Sequence, residues 1–206
     1  MKIVLENVSK RYGYEWIFRD VNFVFSKSDK VAIIGPNGSG KSTLVRILLG
    51  ANDPSKGKIF FSENDAEISA DNVNDHFSFT GPYMDLISNF TLNEMVKFHF
   101  SFRELVAGVS RKDIADIALL SKAKYKELSK FSSGMQQRLK LTLALCSQSS
   151  CIILDEPTTN LDEDSKKWFE ELLTKYLDDR ILIIATNEKR DAQLCTRSLN
   201  IADFKK

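Results

Sequence analysis

Three short runs of unbroken apolar residues punctuate the chain: "KVAIIG" (30–35), "CIILDE" (151–156) and "RILIIAT" (180–186). None alternates with polar positions, which is the pattern of strands buried on both faces. "KIVLENV" (2–8) and "FVF" (23–25) also read as strands, "DPSKGKIFFS" (53–62) as a turn and a strand, and "RSLNIA" (197–202) as an edge strand. Helical spacing recurs in "KSTLVRILLG" (41–50), closed by Gly50, and in "GMQQRLKLTLALCSQS" (134–149). In "DEDSKKWFEELLTKYL" (162–177) it places Trp168, Leu172, Leu173 and Tyr176 on one side. Residues 91–129 are mostly helical in pattern, with charged faces on "TLNEMVKFHFSFREL" and "SRKDIADIALL". Apolar strands alternating with helices predict a parallel sheet covered on both faces. The stretch 91–129 reads as an insertion that makes a second lobe.

Composition narrows the choice of function. A chain of 206 residues, 43% hydrophobic, is long enough to bury a core of its own. Its 29 basic and 28 acidic side chains leave a net charge of +1, which argues against bulk binding to nucleic acid or anionic lipid. No run approaches the roughly 18 apolar residues of a membrane span. "MKIVLENVSKRY" lacks the apolar core of a signal peptide. Cys146, Cys151 and Cys195 are odd in number, lie in apolar surroundings and lack metal spacing. They read as buried thiols of a reducing compartment, which places the protein in the cytoplasm.

The chemistry begins at "GPNGSGKST": Gly35, Pro36, Asn37, Gly38, Ser39, Gly40, Lys41, Ser42 and Thr43. It matches G-x-x-x-x-G-K-[ST], follows an apolar strand and opens a helix. The glycines let backbone N–H groups approach phosphate oxygens, and the helix N-terminus points at the anion. Lys41 brings a point charge to the outer phosphates, and the Ser42 hydroxyl suits Mg²⁺. An ordinary glycine-rich turn is the bland alternative, and motif plus context speak against it. "CIILDEPTTNLD" (151–162) ends its strand in two carboxylates. Asp155 is placed to hold Mg²⁺ through water, and Glu156 to orient or deprotonate an attacking water. Alone, the two acids are as well explained as a strand end capping a turn.

These motifs together resemble the ATPase domain of ATP-binding cassette (ABC) transporters, from about Ile3 to about Ile201. "FSSGMQQRLKL" (131–141) is similar to the family signature Leu-Ser-Gly-Gly-Gln, here Phe131, Ser132, Ser133, Gly134 and Met135. The resemblance implies an α/β P-loop NTPase with a mostly parallel central sheet and an N-terminal antiparallel β part. An α-helical subdomain at about 83–134 would be inserted within a single domain, 1–206. It implies ATP and Mg²⁺ as cofactors, and a homodimer or heterodimer in which Ser132 to Met135 cover the ATP of the other copy. Gly134 would open the helix that faces the γ-phosphate. A serine-capped helix start is the plain alternative for this stretch. Asp162 would reach across the dimer, or merely cap the helix after it. Tyr12 stands where the family stacks adenine; Tyr14 and Trp16 compete for that role, as does a plain turn aromatic.

The resemblance also implies an integral membrane partner, hence a peripheral position on the inner face of the cell membrane. Phe77, Phe79, Tyr83, Phe90, Phe98, Phe100 and Phe102 are candidates for that contact, with core packing expected for most of them. A soluble ABC ATPase acting on DNA or ribosomes is a further alternative, which the near-neutral charge disfavours. No regulatory domain follows Lys206, which leans towards export.

Two family positions are missing. The glutamine before the helical lobe falls at Gly81 or Pro82 in "FSFTGPYMDLISNFT" (77–91), and no glutamine occurs from Leu44 to Met135. The family's histidine after the last apolar strand is Asn187, and the chain's two histidines, His76 and His99, lie elsewhere. Asn187 can donate to a phosphate oxygen and accept from water, but it carries no charge. Full ATP binding with slow hydrolysis is the expectation.

Overall fold

The computed structural model describes residues 1–69 and 72–205 and divides into two compact units. The first takes in Met1–Phe77, Ser149–Glu156 and the chain from Asp179 onward; the second takes in Ser78–Gln148 and Pro157–Asp178.

Strands β1 (Lys2–Tyr12) and β2 (Glu15–Phe25) open the first unit as a long antiparallel hairpin. The sequence pattern predicts only 2–8 and 23–25 of it. Register shifts along β1, with Asn7 and Asp20 at positive φ, throw the alternation out of phase. Paired side-chain amides steady the bulge: Asn22 Nδ2 donates to Asn7 Oδ1 at 2.9 Å. Next come β3 (Lys30–Ile34) and α1 (Lys41–Leu48), then β4 (Lys56–Glu63) and the short β5 (Ala66–Glu67). β2, β1, β4 and β5 lie side by side in that order, all antiparallel. β6 (Phe77–Thr80) carries the chain into the second unit.

There α2 (Leu92–Phe102) starts at a capping box, with Thr91 and Glu94 satisfying each other's backbone donors. α3 covers only Ile114–Ile117. The helix expected over 110–120 is thus corrected to a single turn. Ser110 and Asp113 bond to each other ahead of it, and Leu119, at φ 57°, ends it. The region 103–113 is irregular, so the stretch 91–129 is less helical than its spacing suggests. α4 (Ser133–Cys146) packs its apolar face with α2 and α3: Leu92, Val96, Ile114, Leu128, Leu139 and Leu143 are all buried together. The second unit also holds α5 (Glu163–Tyr176), whose buried face centres on Phe169, Leu172 and Leu173. Trp168 and Tyr176, expected on that face, sit at its half-buried margin.

The chain returns to the first unit with β7 (Cys151–Asp155), β8 (Ile181–Thr186), α6 (Lys189–Gln193) and β9 (Arg197–Asn200). β7, β8, β3 and β9 form parallel neighbours in that order. Every residue of β7 and β8 is buried, which accounts for their unbroken apolar sequence. Parallel strands end together, so β3, β7 and β8 deliver the residues after them to one edge of the sheet. Cys146 and Cys151 are buried free thiols, and Cys195 is partly buried.

Candidate nucleotide site and family

The loop between β3 and α1 turns tightly enough that glycine is required. Gly40 sits at φ 107°, and a Cβ there would lie 2.6 Å from Ile17 Cγ2; at Gly35 (φ 151°) it would meet Ser39 Oγ at 2.6 Å. Ser39 is buried, and its backbone N–H closes the turn onto Pro36 O at 3.1 Å. α1 has no side-chain cap, so its first N–H groups are left to whatever the loop enfolds. Pro36, Asn37 and Gly38 are exposed at the loop tip, and Ser42 and Thr43 are half-buried in the first helical turn.

Lys41 is buried, and its Nζ donates to Gly35 O at 2.9 Å and to Pro36 O at 3.4 Å. The same ammonium lies 3.6 Å from Glu156 Oε1. Asp155, at the end of β7, is only 3% exposed. Burial pushes its carboxyl above the usual range, and the neighbouring Glu156 adds to that. A hydrogen bond from Ser42 and the charges of Lys41 and Arg46 pull the other way. One of its oxygens, Oδ1, is buried with no hydrogen-bond partner among the described residues. A buried, unsatisfied carboxylate oxygen beside a serine hydroxyl fits a hard divalent cation. No cluster of three or more acidic, His or Cys ligands occurs among the described residues. Mg²⁺ needs none, because it keeps waters and takes phosphate oxygens as further ligands.

Glu156 departs from the strand in the left-handed region, at φ 50°. A non-glycine residue held there stores strain of order 1–3 kcal/mol, which its surroundings must over-determine. Here β8 does so: Glu156 N donates to Ala185 O at 2.8 Å, and Thr186 Oγ1 lies 3.3 Å from Glu156 Oε2. Thr186, wholly buried, is the residue that sequence reasoning missed. Its only signal is a polar residue closing an otherwise apolar strand. One residue on, Asn187 Nδ2 donates to Asn37 Oδ1 at 3.1 Å. The first unit thus gathers the loop 35–43, Asp155, Glu156 and Asn187.

Of the aromatic candidates, Tyr12 is half exposed, and its hydroxyl accepts from Asn52 Nδ2 at 3.2 Å. Tyr14 is fully exposed. Trp16 is hemmed in by Arg11, Arg19 and Lys56, all within 5.7 Å of its ring centre. Tyr12 has one cation over its ring, Lys10 Nζ at 5.2 Å from the centre, against three over Trp16, which leaves Tyr12 the freer stacking surface.

The remaining sequence-predicted residues lie in the second unit. Ser132 is the N-cap of α4, its Oγ accepting from Met135 N at 3.2 Å. The helix therefore opens at Ser133, one residue ahead of the expected Gly134. A Cβ on Gly134 would come within 3.1 Å of Asn160 O, so the glycine allows this loop to lie close. Ser133 is exposed and Met135 half-buried. Asp162 caps α5, and its hydrogen bonds from Ser165 hold its carboxyl below the usual range.

The sequence profile described as ABC transporter matches residues 18–159. The chain belongs to the ABC transporter family. Its two units carry the family's ATPase domain, a P-loop fold with an antiparallel and a parallel sheet. This ABC cassette is 32% identical over 180 residues to the human phospholipid-transporting ATPase ABCA7, covering 85% of the chain and 8% of that protein. It is 30% identical over 200 residues to the sulfate/thiosulfate import ATP-binding protein CysA of Mesostigma viride, covering 93% and 56%. With the zinc import ATP-binding protein ZnuC of Rickettsia prowazekii the identity is 31% over 171 residues, covering 83% and 69%. The cassette thus spans about half of CysA and a small part of ABCA7. Among solved folds it superimposes on the dimeric bacterial ABC transporter cassette MJ0796 with a TM-score of 0.81 and 24% identity, over 97% of this chain and 95% of that one.

Proposed function

We propose that this cassette binds Mg·ATP on the loop 35–43, hydrolyses it slowly, and thereby drives a separate membrane-spanning subunit. The observation that carries the reading is the convergence of buried Lys41, Asp155 with its unpartnered Oδ1, and strained Glu156 at the ends of β3 and β7. The loop's N–H groups and Lys41 take the phosphates, and Tyr12 takes the adenine. Ser42 and Asp155 would hold Mg²⁺, which when bound neutralises phosphate charge. Glu156 orients a water and accepts its proton as the water oxygen bonds to the γ-phosphorus. The bond to the β-phosphate oxygen breaks, leaving ADP and phosphate. Asn187 offers an amide N–H where the family has an imidazole, so part of the stabilisation is kept and the charge is lost.

Two copies close head to tail, with Ser132, Ser133, Gly134 and Met135 of each covering the ATP of the other and Asp162 near the seam. Docking of a membrane subunit is supported by Tyr83, Phe98 and Phe102, which are exposed, whereas Phe77 and Phe100 are buried. The cassette would then sit on the cytoplasmic face of the membrane. The decisive experiment compares the purified protein with Glu156→Gln. The expected result is slow, Mg²⁺-dependent release of phosphate by the wild type and none by the variant, which forms a dimer in saturating Mg·ATP. A Glu156→Gln protein that stays monomeric, or that turns over as fast as the wild type, refutes the proposal.

The missing glutamine and histidine favour a second reading, an ATP-dependent clamp whose turnover is incidental. The readings separate on transport in reconstituted vesicles: a clamp works equally well with a non-hydrolysable ATP analogue, a motor does not.

A further inference from the structure

We infer that Thr186 is a positioning residue that holds the Glu156 carboxylate in its working orientation. The inference rests on the proposed role of Glu156 in hydrolysis and adds a residue to it. A glutamate side chain has three rotatable bonds, so its carboxylate does not stay at one place unless something fixes it. In this cassette both oxygens are addressed from the first unit: Lys41 Nζ lies 3.6 Å from Oε1, and Thr186 Oγ1 lies 3.3 Å from Oε2. The lysine contact is the wrong one to rely on. Lys41 also serves Gly35 O and Pro36 O, and its ammonium is the group that takes phosphate. When it turns to a nucleotide, Thr186 remains.

Three features fit the hydroxyl for this task. Thr186 has no exposed surface, so its side chain is fixed by packing and its branching at Cβ restricts χ1. Its oxygen accepts from Glu188 N at 2.9 Å, which pins the hydroxyl from one side. On the other sides stand two carboxylates, Glu156 Oε2 at 3.3 Å and Asp191 Oδ2 at 3.1 Å, and the hydroxyl has one proton to offer between them. The residue before Thr186 joins in: Ala185 O accepts from Glu156 N, so consecutive residues of β8 hold the backbone and the side chain of one glutamate. The left-handed φ of Glu156 makes this double grip necessary, since that backbone does not persist unsupported.

The test replaces the hydroxyl by a methyl group of nearly the same volume. Thr186→Val should lower kcat by about 10- to 100-fold, the penalty of a displaced general base, and leave the KM for ATP within about twofold of wild type. Thr186→Ser should restore most of the rate. A crystal structure of Thr186→Val gives a readout independent of turnover: the Glu156 carboxylate should leave its place by more than about 0.5 Å. Unchanged kcat or an undisplaced carboxylate each overturns the inference. Absence of any turnover in wild type overturns the hydrolytic reading instead, and the crystal structure still decides the role of Thr186.

Discussion

In the proposed reading, Asn187 takes the place of the family's histidine. An amide gives and accepts hydrogen bonds but never gains charge, and here its N–H₂ is turned towards Asn37 of the phosphate loop. One preorganised donor at a phosphoryl-transfer site is typically worth ~10²–10³ in rate. Asn187→His should therefore raise kcat by about 10-fold or more, measured by phosphate release, with little change in ATP affinity. A second residue makes an opposite kind of statement. Burial, with the charge of Arg103 nearby, lowers the pKa of His99 to about 4. Its Nε2 meets Ser147 Oγ at 2.8 Å, and since that hydroxyl donates to Leu143 O, the imidazole is the donor. Between about pH 6.5 and 4 the unfolded chain binds a proton at this histidine that the folded chain refuses. Stability contributed by neutral His99 is thus whole above 6.5 and falls as pH drops towards 4. Thermal unfolding across that window should show a shallower decline for His99→Gln than for wild type; parallel curves would contradict this.

At the scale of elements, the phosphate loop is the part under greatest steric constraint. Gly40→Ala would set a Cβ 2.6 Å from Ile17 Cγ2 at a φ that alanine resists. It should cost at least about 2 kcal/mol in urea unfolding and abolish nucleotide binding. These constraints are also what made the loop legible: glycine spacing, strand before and helix after are all local. β3, β7 and β8 were equally legible, because a strand buried on both faces has no polar position to confuse the reading. β2 was not, since a bulge near Asp20 shifts its side-chain period midway, and the period is the signal. The helix over 110–120 failed for another reason. Its spacing is helical, but Leu119 takes a left-handed φ that nothing in a leucine announces. Thr186 escaped notice because its role lies in a contact with a residue thirty positions away in sequence.

For the whole molecule, a near-neutral charge and exposed aromatics suit a protein that meets other proteins rather than polyanions. No helix among the described residues is long and apolar enough to cross a membrane. The chain has two tryptophans, and they fall one to each unit. Trp16 lies under Arg11, Arg19 and Lys56 in the first, and Trp168 donates from its indole to Ile117 O at 2.9 Å in the second. Each half of the molecule therefore comes with its own built-in fluorophore. Single-tryptophan variants, Trp168→Phe and Trp16→Phe, can be melted side by side and their emission followed separately. Mg·ATP should raise the midpoint seen by Trp16 more than that seen by Trp168, and equal shifts would mean that the halves melt as one block.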